Sequence, residues 1–247
     1  MSKAPRSDQW RLLDVQSLDT KIDQAAHRRE RLPEAGRLSE LTEQRVRSAE
    51  AVAQAQAEVG DIQRELTRVD DDVERAKARR ERDKARLNAG SGQAKELVAL
   101  QHEVEVLNRR LIALEDTELE VMERLEQGQH LVNVATSVVD KLDEEIARVG
   151  AGVEAAYAEI DAETQALRAE RAAAVDGLDA GLVALYARLR AARGGVGAAP
   201  LRAKRCEGCR LVVNPADLEH IRTASPDEVI RCEECGRILV RLEDSGL

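Results

Sequence analysis

The sequence predicts a mainly α chain: a long antiparallel coiled-coil hairpin with a small C-terminal ribbon domain built around four cysteines. Three observations predict it. Apolar residues recur with a coiled-coil period over most of the chain before residue 170. A glycine-containing breaker divides the two longest runs. All four cysteines fall as two CxxC pairs in the last 42 of 247 residues.

Composition points the same way. Phe is absent, and the aromatics are Trp10, Tyr157 and Tyr186 alone. Large globular cores and ligand pockets lean on aromatic side chains, so a single big globule is disfavoured. Charged residues make up 34% of the chain, in a mix rich in Ala, Glu, Leu and Arg that suits long helices. So much charge would mean disorder if apolar residues were sparse, but they are plentiful and regularly spaced. The preference for Arg and Ala is a weak pointer to a GC-rich bacterial genome.

The elements follow in order. Val15, Leu18, Ile22 and Ala25 form a short first run, and Pro33 and Gly36 shift its phase, which predicts a kink or short break. From Leu38 to Leu87, stepping alternately by 3 and 4, 11 of 15 positions are apolar. Asn88-Ala89-Gly90-Ser91-Gly92 is the best breaker in the middle of the chain. From Leu97 to Leu167, 18 of 21 stepped positions are apolar, the exceptions being Glu118, Gly128 and Glu163. About 9 would be expected by chance at 43% apolar composition. A short break between two long seams favours a hairpin, because each arm finds its partner locally at low closure cost. The alternative is a flexing break with both seams paired to other chains.

Counted outward from Gly90, Trp10 falls opposite residue 170. Residues 171–193 therefore overhang the first arm, with Leu178, Leu182, Leu185 and Leu189 continuing an apolar stripe that can pack on the ribbon. The expected domains are a hairpin over residues 1–193 (turn near 88–92), a linker over 194–200 and the ribbon over 201–247.

The ribbon carries CEGC at 206–209 and CEEC at 232–235, with 22 residues between. Each CxxC sets two thiolates on one tight turn, and two turns complete a tetrahedral S₄ site, so Cys206, Cys209, Cys232 and Cys235 are the expected ligands of one structural Zn²⁺. Gly208 and Gly236 are expected to free the backbone at the turns. Leu211-Val212-Val213, Val229-Ile230 and Ile238-Leu239-Val240 are β-prone, and Asn214-Pro215 reads as a helix cap and first turn. A domain this small without aromatics buries little, so metal would supply much of its folding free energy. The rivals are a redox dithiol, which wants a βαβ context absent here, and an iron–sulfur cluster, whose usual spacings fit less well. His220 is expected to face solvent.

The net charge of −9 argues against broad attraction to nucleic acid or anionic membrane, and no apolar run is long enough to span a bilayer. The start, MSKAPRSDQW, lacks a signal-peptide apolar stretch, so a soluble cytoplasmic protein is the expectation. One region is basic: Glu74 to Arg110 holds ten Lys or Arg against six Asp or Glu. Arg75, Arg79, Arg82, Arg86 and Lys95 are candidates there for contact with phosphate or an acidic protein face, as are Arg202, Lys204 and Arg205 at the ribbon entry. The competing readings are a solvated face balanced by Glu96, Glu103 and Glu105, and head-to-tail stacking of rods of opposite end charge. Residues 200–247 balance eight basic against nine acidic side chains and hold no aromatic for base stacking. No Walker loop, GxSxG or HExxH occurs, and His27, His102, His130 and His220 are scattered.

The segment KELVALQHEVEVLNRR (95–110) after a glycine-containing turn, and the ending IRCEECGRILV, resemble a bacterial family that joins an N-terminal coiled-coil hairpin to a C-terminal four-cysteine zinc ribbon. The family is largely of unknown function, and the resemblance covers nearly the whole chain. It implies a helical hairpin with the ribbon at its open end and zinc on the four cysteines; it implies no catalysis. Some relatives in flagellated bacteria look like adaptors in motility gene expression, and nothing in this sequence ties it to that pathway. The functional expectation is a non-enzymatic zinc-binding adaptor that bridges protein partners, without membrane or small-molecule substrate. The alternative is a nucleic-acid-binding regulator that uses the basic tip and the ribbon.

Overall fold

The seam decides the architecture. Each apolar stripe of a long helix must be covered, and a partner arm in the same chain covers it with the least loss of entropy. The computed structural model describes residues 2–90 and 92–247. Its elements are α1 (Arg6–Glu30), α2 (Pro33–Asn88), α3 (Ala94–Val175), α4 (Ala180–Ala192), β1 (Ala198–Arg202), β2 (Arg205–Cys206), α5 (Pro215–Thr223) and β3 (Ile238–Arg241), followed by a 3₁₀ turn at Glu243–Ser245. The long helices form an antiparallel hairpin, and the strands belong to the small C-terminal ribbon. The chain divides into two compact units, Gly36–Gly150 and the combination of Met1–Ala35 with Ala151–Leu247.

In the unit of residues 36–150, α2 and α3 run antiparallel. Arg37 pairs with Glu145 (3.1 Å), Arg45 with Asp143 (2.9 Å), Arg124 with Glu65 (3.1 Å) and Arg79 with Glu103 (2.6 Å), so ascending numbers on α2 meet descending numbers on α3. Leu41, Val73, Ala76, Val104, Leu107, Leu111 and Val121 are its buried apolar side chains. Every stepped position from Leu97 to Leu167 except Glu163 is at least half-buried. Gly128 interrupts the seam for a steric reason: a Cβ there would stand 2.9 Å from Val59 Cγ2. At the turn, Gln93 N–H donates to Glu96 Oε2 (3.1 Å), so the Glu96 side chain satisfies a free donor at the start of α3, one half of a capping box. The expected turn at 88–92 includes Ser91, which lies outside the described residues.

The other unit begins with α1. The break expected at Pro33 and Gly36 falls at Arg31-Leu32, with Pro33 in the first turn of α2, where its missing N–H costs nothing; Gly36 lies inside α2. Here α1 runs antiparallel to the end of α3: Arg29 pairs with Asp161 (3.1 Å), Arg28 with Glu163, and Arg171 with Asp19 (2.5 Å). Residues 171–193 are not one overhanging helix. Gly177 takes φ +73° and ends α3, and Asp179 caps α4 by accepting from Leu182 N–H (2.8 Å). The cap returns α4 to the side of α1. Leu182, Tyr186 and Leu189 of α4 then share one core with Leu12 and Val15 of α1 and with Ala198, Val229, Ile238 and Val240 of the ribbon.

The residues expected to be a linker are partly structural. Ala198-Ala199-Pro200 open β1, which pairs parallel with β3 and antiparallel with β2, giving the sheet order β2-β1-β3. Their apolar side chains explain the recruitment: Ala198 and Ala199 are 1% and 3% exposed. Gly197 lets the chain cross α4 closely, since a Cβ there would meet Tyr186 O at 2.7 Å and Arg190 N at 3.0 Å.

Candidate metal centre

Two knuckles of matching construction hold the cysteines. In the first, Arg210 N–H donates to Cys206 O (2.7 Å) and Cys206 N–H to Leu211 O (3.0 Å). In the second, Gly236 N–H donates to Cys232 O (2.7 Å) and Cys232 N–H to Arg237 O (2.9 Å). Each chain reversal needs a left-handed residue just after the second cysteine. Gly236 supplies it at φ +71°, and Arg210 supplies it at φ +62°. This corrects the role expected for Gly208. Gly208 has no positive φ; its need is space, because a Cβ there would lie 2.8 Å from Arg237 Cδ and 3.0 Å from Ala199 Cβ. Arg210, a residue with a Cβ, carries the strain instead.

The knuckles face each other. Cys206 Sγ lies 3.9 Å from Cys235 Sγ, and Cys209 Sγ 3.9 Å from Cys232 Sγ. All four sulfurs are within 4.8 Å of one another. A tetrahedral shell with Zn–S bonds of about 2.3 Å puts its sulfurs about 3.8 Å apart, so the set fits one zinc ion with little adjustment. Four thiolates close the shell and leave no open position, which makes the ion structural. Cys206 and Cys232 are buried and pack with Ala199, Leu201, Val213, Ile221, Ile230 and Leu239, so the site is one wall of the ribbon's own core.

The thiols differ in electrostatics. Burial pushes the Cys206 thiol well above its ordinary range, against the pull of the Cys209 and Gly208 backbone N–H groups. Burial also raises Cys232. At Cys235 burial acts upward too, but hydrogen bonds from the Arg237 backbone and side chain and from Cys232 and Cys209 outweigh it and bring the thiol to about 7. A divalent cation reverses the penalty at the buried pair, since it stabilises thiolate where the apolar wall disfavours it.

The remaining ribbon elements support this wall. Asn214 caps α5 by accepting from Asp217 N–H (2.9 Å), with Pro215 in the first turn, as the sequence suggests. Val212 bridges to Arg205 and Arg231 to Ile238. His220 is exposed and stands outside the cysteine cluster. Arg241, which the sequence did not single out, ties the loop after α5: its guanidinium donates to the carbonyls of Ala224 (3.0 Å), Ser225 (2.7 Å), Pro226 (3.2 Å) and Glu228 (3.1 Å). Five donors in a planar fork suit such a set of carbonyls, which no local sequence signal announces.

The basic candidates are placed as follows. Arg75 pairs with Asp72 (2.5 Å), and Arg79 with Glu103 (2.6 Å) and Asp83 (3.8 Å). Arg82, Arg86 and Lys95 are exposed and without an ion pair among the described residues. Arg202 pairs with Asp244 (3.1 Å). Lys204 on the β1–β2 turn and Arg205 at the start of β2 are exposed, in the other unit from the first five. No helix among the described residues is long and apolar enough to cross a membrane.

Comparison with known proteins agrees with both parts. Residues 15–194 match the family described as a CT398-like coiled coil hairpin domain, and residues 205–239 match a C4-type zinc ribbon domain. The uncharacterized protein Rv2229c of Mycobacterium tuberculosis is 34% identical over 98% of this chain and 98% of its own length. A solved structure from Mycobacterium smegmatis is 35% identical and superposes with a TM-score of 0.86, covering 97% of this chain and 100% of that one. CT398 from Chlamydia trachomatis, at 17% identity and a TM-score of 0.69 over 96% of this chain and 98% of its own, shares the fold. A hairpin of two long helices, followed by two cysteine knuckles that fit one structural zinc, places this chain in the family of CT398-like coiled-coil hairpin proteins with a C4 zinc ribbon.

Proposed function

We propose that this chain is a non-enzymatic, cytoplasmic adaptor that bridges protein partners, one on the hairpin and one on the ribbon. The observation that carries the reading is the seating of the ribbon. Ala198, Val229, Ile238 and Val240 share a core with Leu12, Val15, Leu182 and Tyr186, so zinc stiffens a domain already built onto helices α1 and α4. A rigid mount suits a docking surface, because less order is lost when a partner binds. The ribbon also holds out apolar side chains: Leu211 is 51% and Val212 65% exposed, beside the first knuckle. Closed zinc coordination supports a structural part for the metal. Within the basic region, Arg75, Lys77, Arg79, Arg80 and Lys84 each find a carboxylate of the same chain, which favours protein partners over nucleic acid.

The test captures the tagged full-length chain from lysate of its own organism, with and without nuclease, beside two variants. Leu211→Asp with Val212→Asp alters the ribbon face; Arg82→Glu with Arg86→Glu alters the hairpin. An adaptor keeps its partners after nuclease treatment, and each variant loses one partner and retains the other. Loss of every partner on nuclease treatment, with RNA or DNA recovered alongside, would replace this reading with the nucleic-acid one.

A further inference from the structure

The second long arm has more apolar surface than its seam uses. Among the large apolar side chains left exposed on α2 and α3, only Val46 belongs to α2; Ile112 on α3 is 61% exposed and Leu119 60%. On a supercoiled helix every seventh residue falls in one column. The column diametrically opposite the seam runs Lys95, His102, Arg109, Asp116, Glu123, His130, and all six are exposed. Its first half is basic or imidazole; its second half is acidic at the two positions nearest the centre and ends in His130. Ile112 and Ala113 flank the crossover point on either side of the column. Neither Arg109 nor Asp116 has an ion pair among the described residues, so the pattern is not spent within the chain.

Such a column complements itself when reversed. We propose that two copies of this chain pair antiparallel through the outer face of α3, with the twofold axis passing between Ile112 and Ala113. That register sets Arg109 opposite Asp116 of the partner subunit and His102 opposite the partner's Glu123, each pair occurring twice by symmetry. Ile112 meets its own symmetry mate on one flank and Ala113 meets its own on the other, where the small side chain lets the backbones approach. Leu119 lies over the aliphatic stem of Arg109 of the partner subunit. A parallel pairing would set Arg109 against Arg109 and Asp116 against Asp116, so charge selects the antiparallel arrangement. The stripe is narrow, so the dimer is weak and reversible, of the kind small interfaces form.

The test is sedimentation of the zinc-loaded full-length chain over about 1 µM to 1 mM. The expected result is a concentration-dependent monomer–dimer equilibrium. Ile112→Asp weakens it, and Arg109→Asp and Asp116→Arg each weaken it by about tenfold or more, because each substitution places two like-charge pairs in the interface. Arg109→Asp combined with Asp116→Arg restores opposite charges and brings the association back to within a fewfold of the unaltered chain. These positions are exposed on a helix, and circular dichroism reports whether each variant stays folded. A chain that remains monomeric throughout would leave the stripe to a helix of another protein and overturn the pairing. A double charge reversal no better than the singles would overturn the register, and with it the proposal.

Discussion

Replacing Asp19 by Ala removes the acceptor at the centre of the joint between α1, α3 and α4. Its side chain is 5% exposed and accepts from Arg171 Nε (2.5 Å) and Nη2 (3.2 Å) and from Tyr186 Oη (2.7 Å). Arg190 Nε lies 3.4 Å away and, among the described residues, is the buried side-chain nitrogen without a hydrogen bond. Removing the carboxylate orphans a phenol and leaves Arg171 without its bidentate partner. A hydrogen bond to a charged group contributes about 1.5–3 kcal/mol and a buried orphan costs about 1–3. A broken buried pair costs about 3–5 kcal/mol, and Arg171, about a third exposed, can turn partly to water, so the expected loss is about 3 kcal/mol. Asp23, half exposed and paired with Arg190 (2.6 Å), is the control, with an expected loss below about 1 kcal/mol. Denaturant unfolding gives the magnitudes, and hydrogen exchange places the loss in α1 and α4. Equal losses for Asp19→Ala and Asp23→Ala would refute the idea that this joint is held by a buried acceptor.

Three further outcomes follow from the same geometry. Gly197→Ala forces a methyl against backbone atoms of Tyr186 and Arg190 that cannot step aside, and should cost about 2–4 kcal/mol in thermal unfolding of the ribbon unit. Arg210→Gly should relieve about 1 kcal/mol of left-handed strain, less the added freedom of the unfolded chain, and be read as slower zinc loss to a chelator. Burial first, and then the Asp19 hydrogen bond, hold the Tyr186 phenol well above its ordinary value of 10.0. Below that value the phenol is neutral folded or unfolded. Above it only the unfolded chain ionises freely, so stability should fall as pH rises past about 10, and Tyr186→Phe should flatten that slope.

The parts of the fold that repeat were legible in the sequence. Leu97 to Leu167 announces its seam by count, Asn214-Pro215 announces α5 by its cap, and paired CxxC spacing announces the metal set. Each is a local signal whose physics is complete within a few residues or one period. The end of α3 was also legible in principle: Gly177 followed by Asp179 is a helix stop and a new cap, but the leucine stripe through Leu178 and Leu182 masked it. What could not be read was the joint. Asp19 lies 152 residues from Arg171 and 167 from Tyr186, and nothing in the neighbourhood of Asp19 marks it as buried rather than as one more charge on a helix. The same holds for Ala198-Ala199-Pro200, whose composition is that of a linker and whose burial depends on β3, nearly 40 residues on. At Arg210 the requirement for a left-handed residue was real, but the sequence fills it without glycine, and the nearby Gly208 sits two residues too early.

The central claim is that Cys206, Cys209, Cys232 and Cys235 hold one structural zinc that closes the ribbon. The direct measurement is metal content per chain by mass spectrometry, paired with hydrogen exchange, on the unaltered protein and on Cys232→Ser. One zinc per chain is expected, lost in the variant, with exchange protection collapsing over residues 198–241 while α2 and α3 within residues 36–150 stay protected. A variant that keeps both its zinc and its ribbon protection would contradict the account.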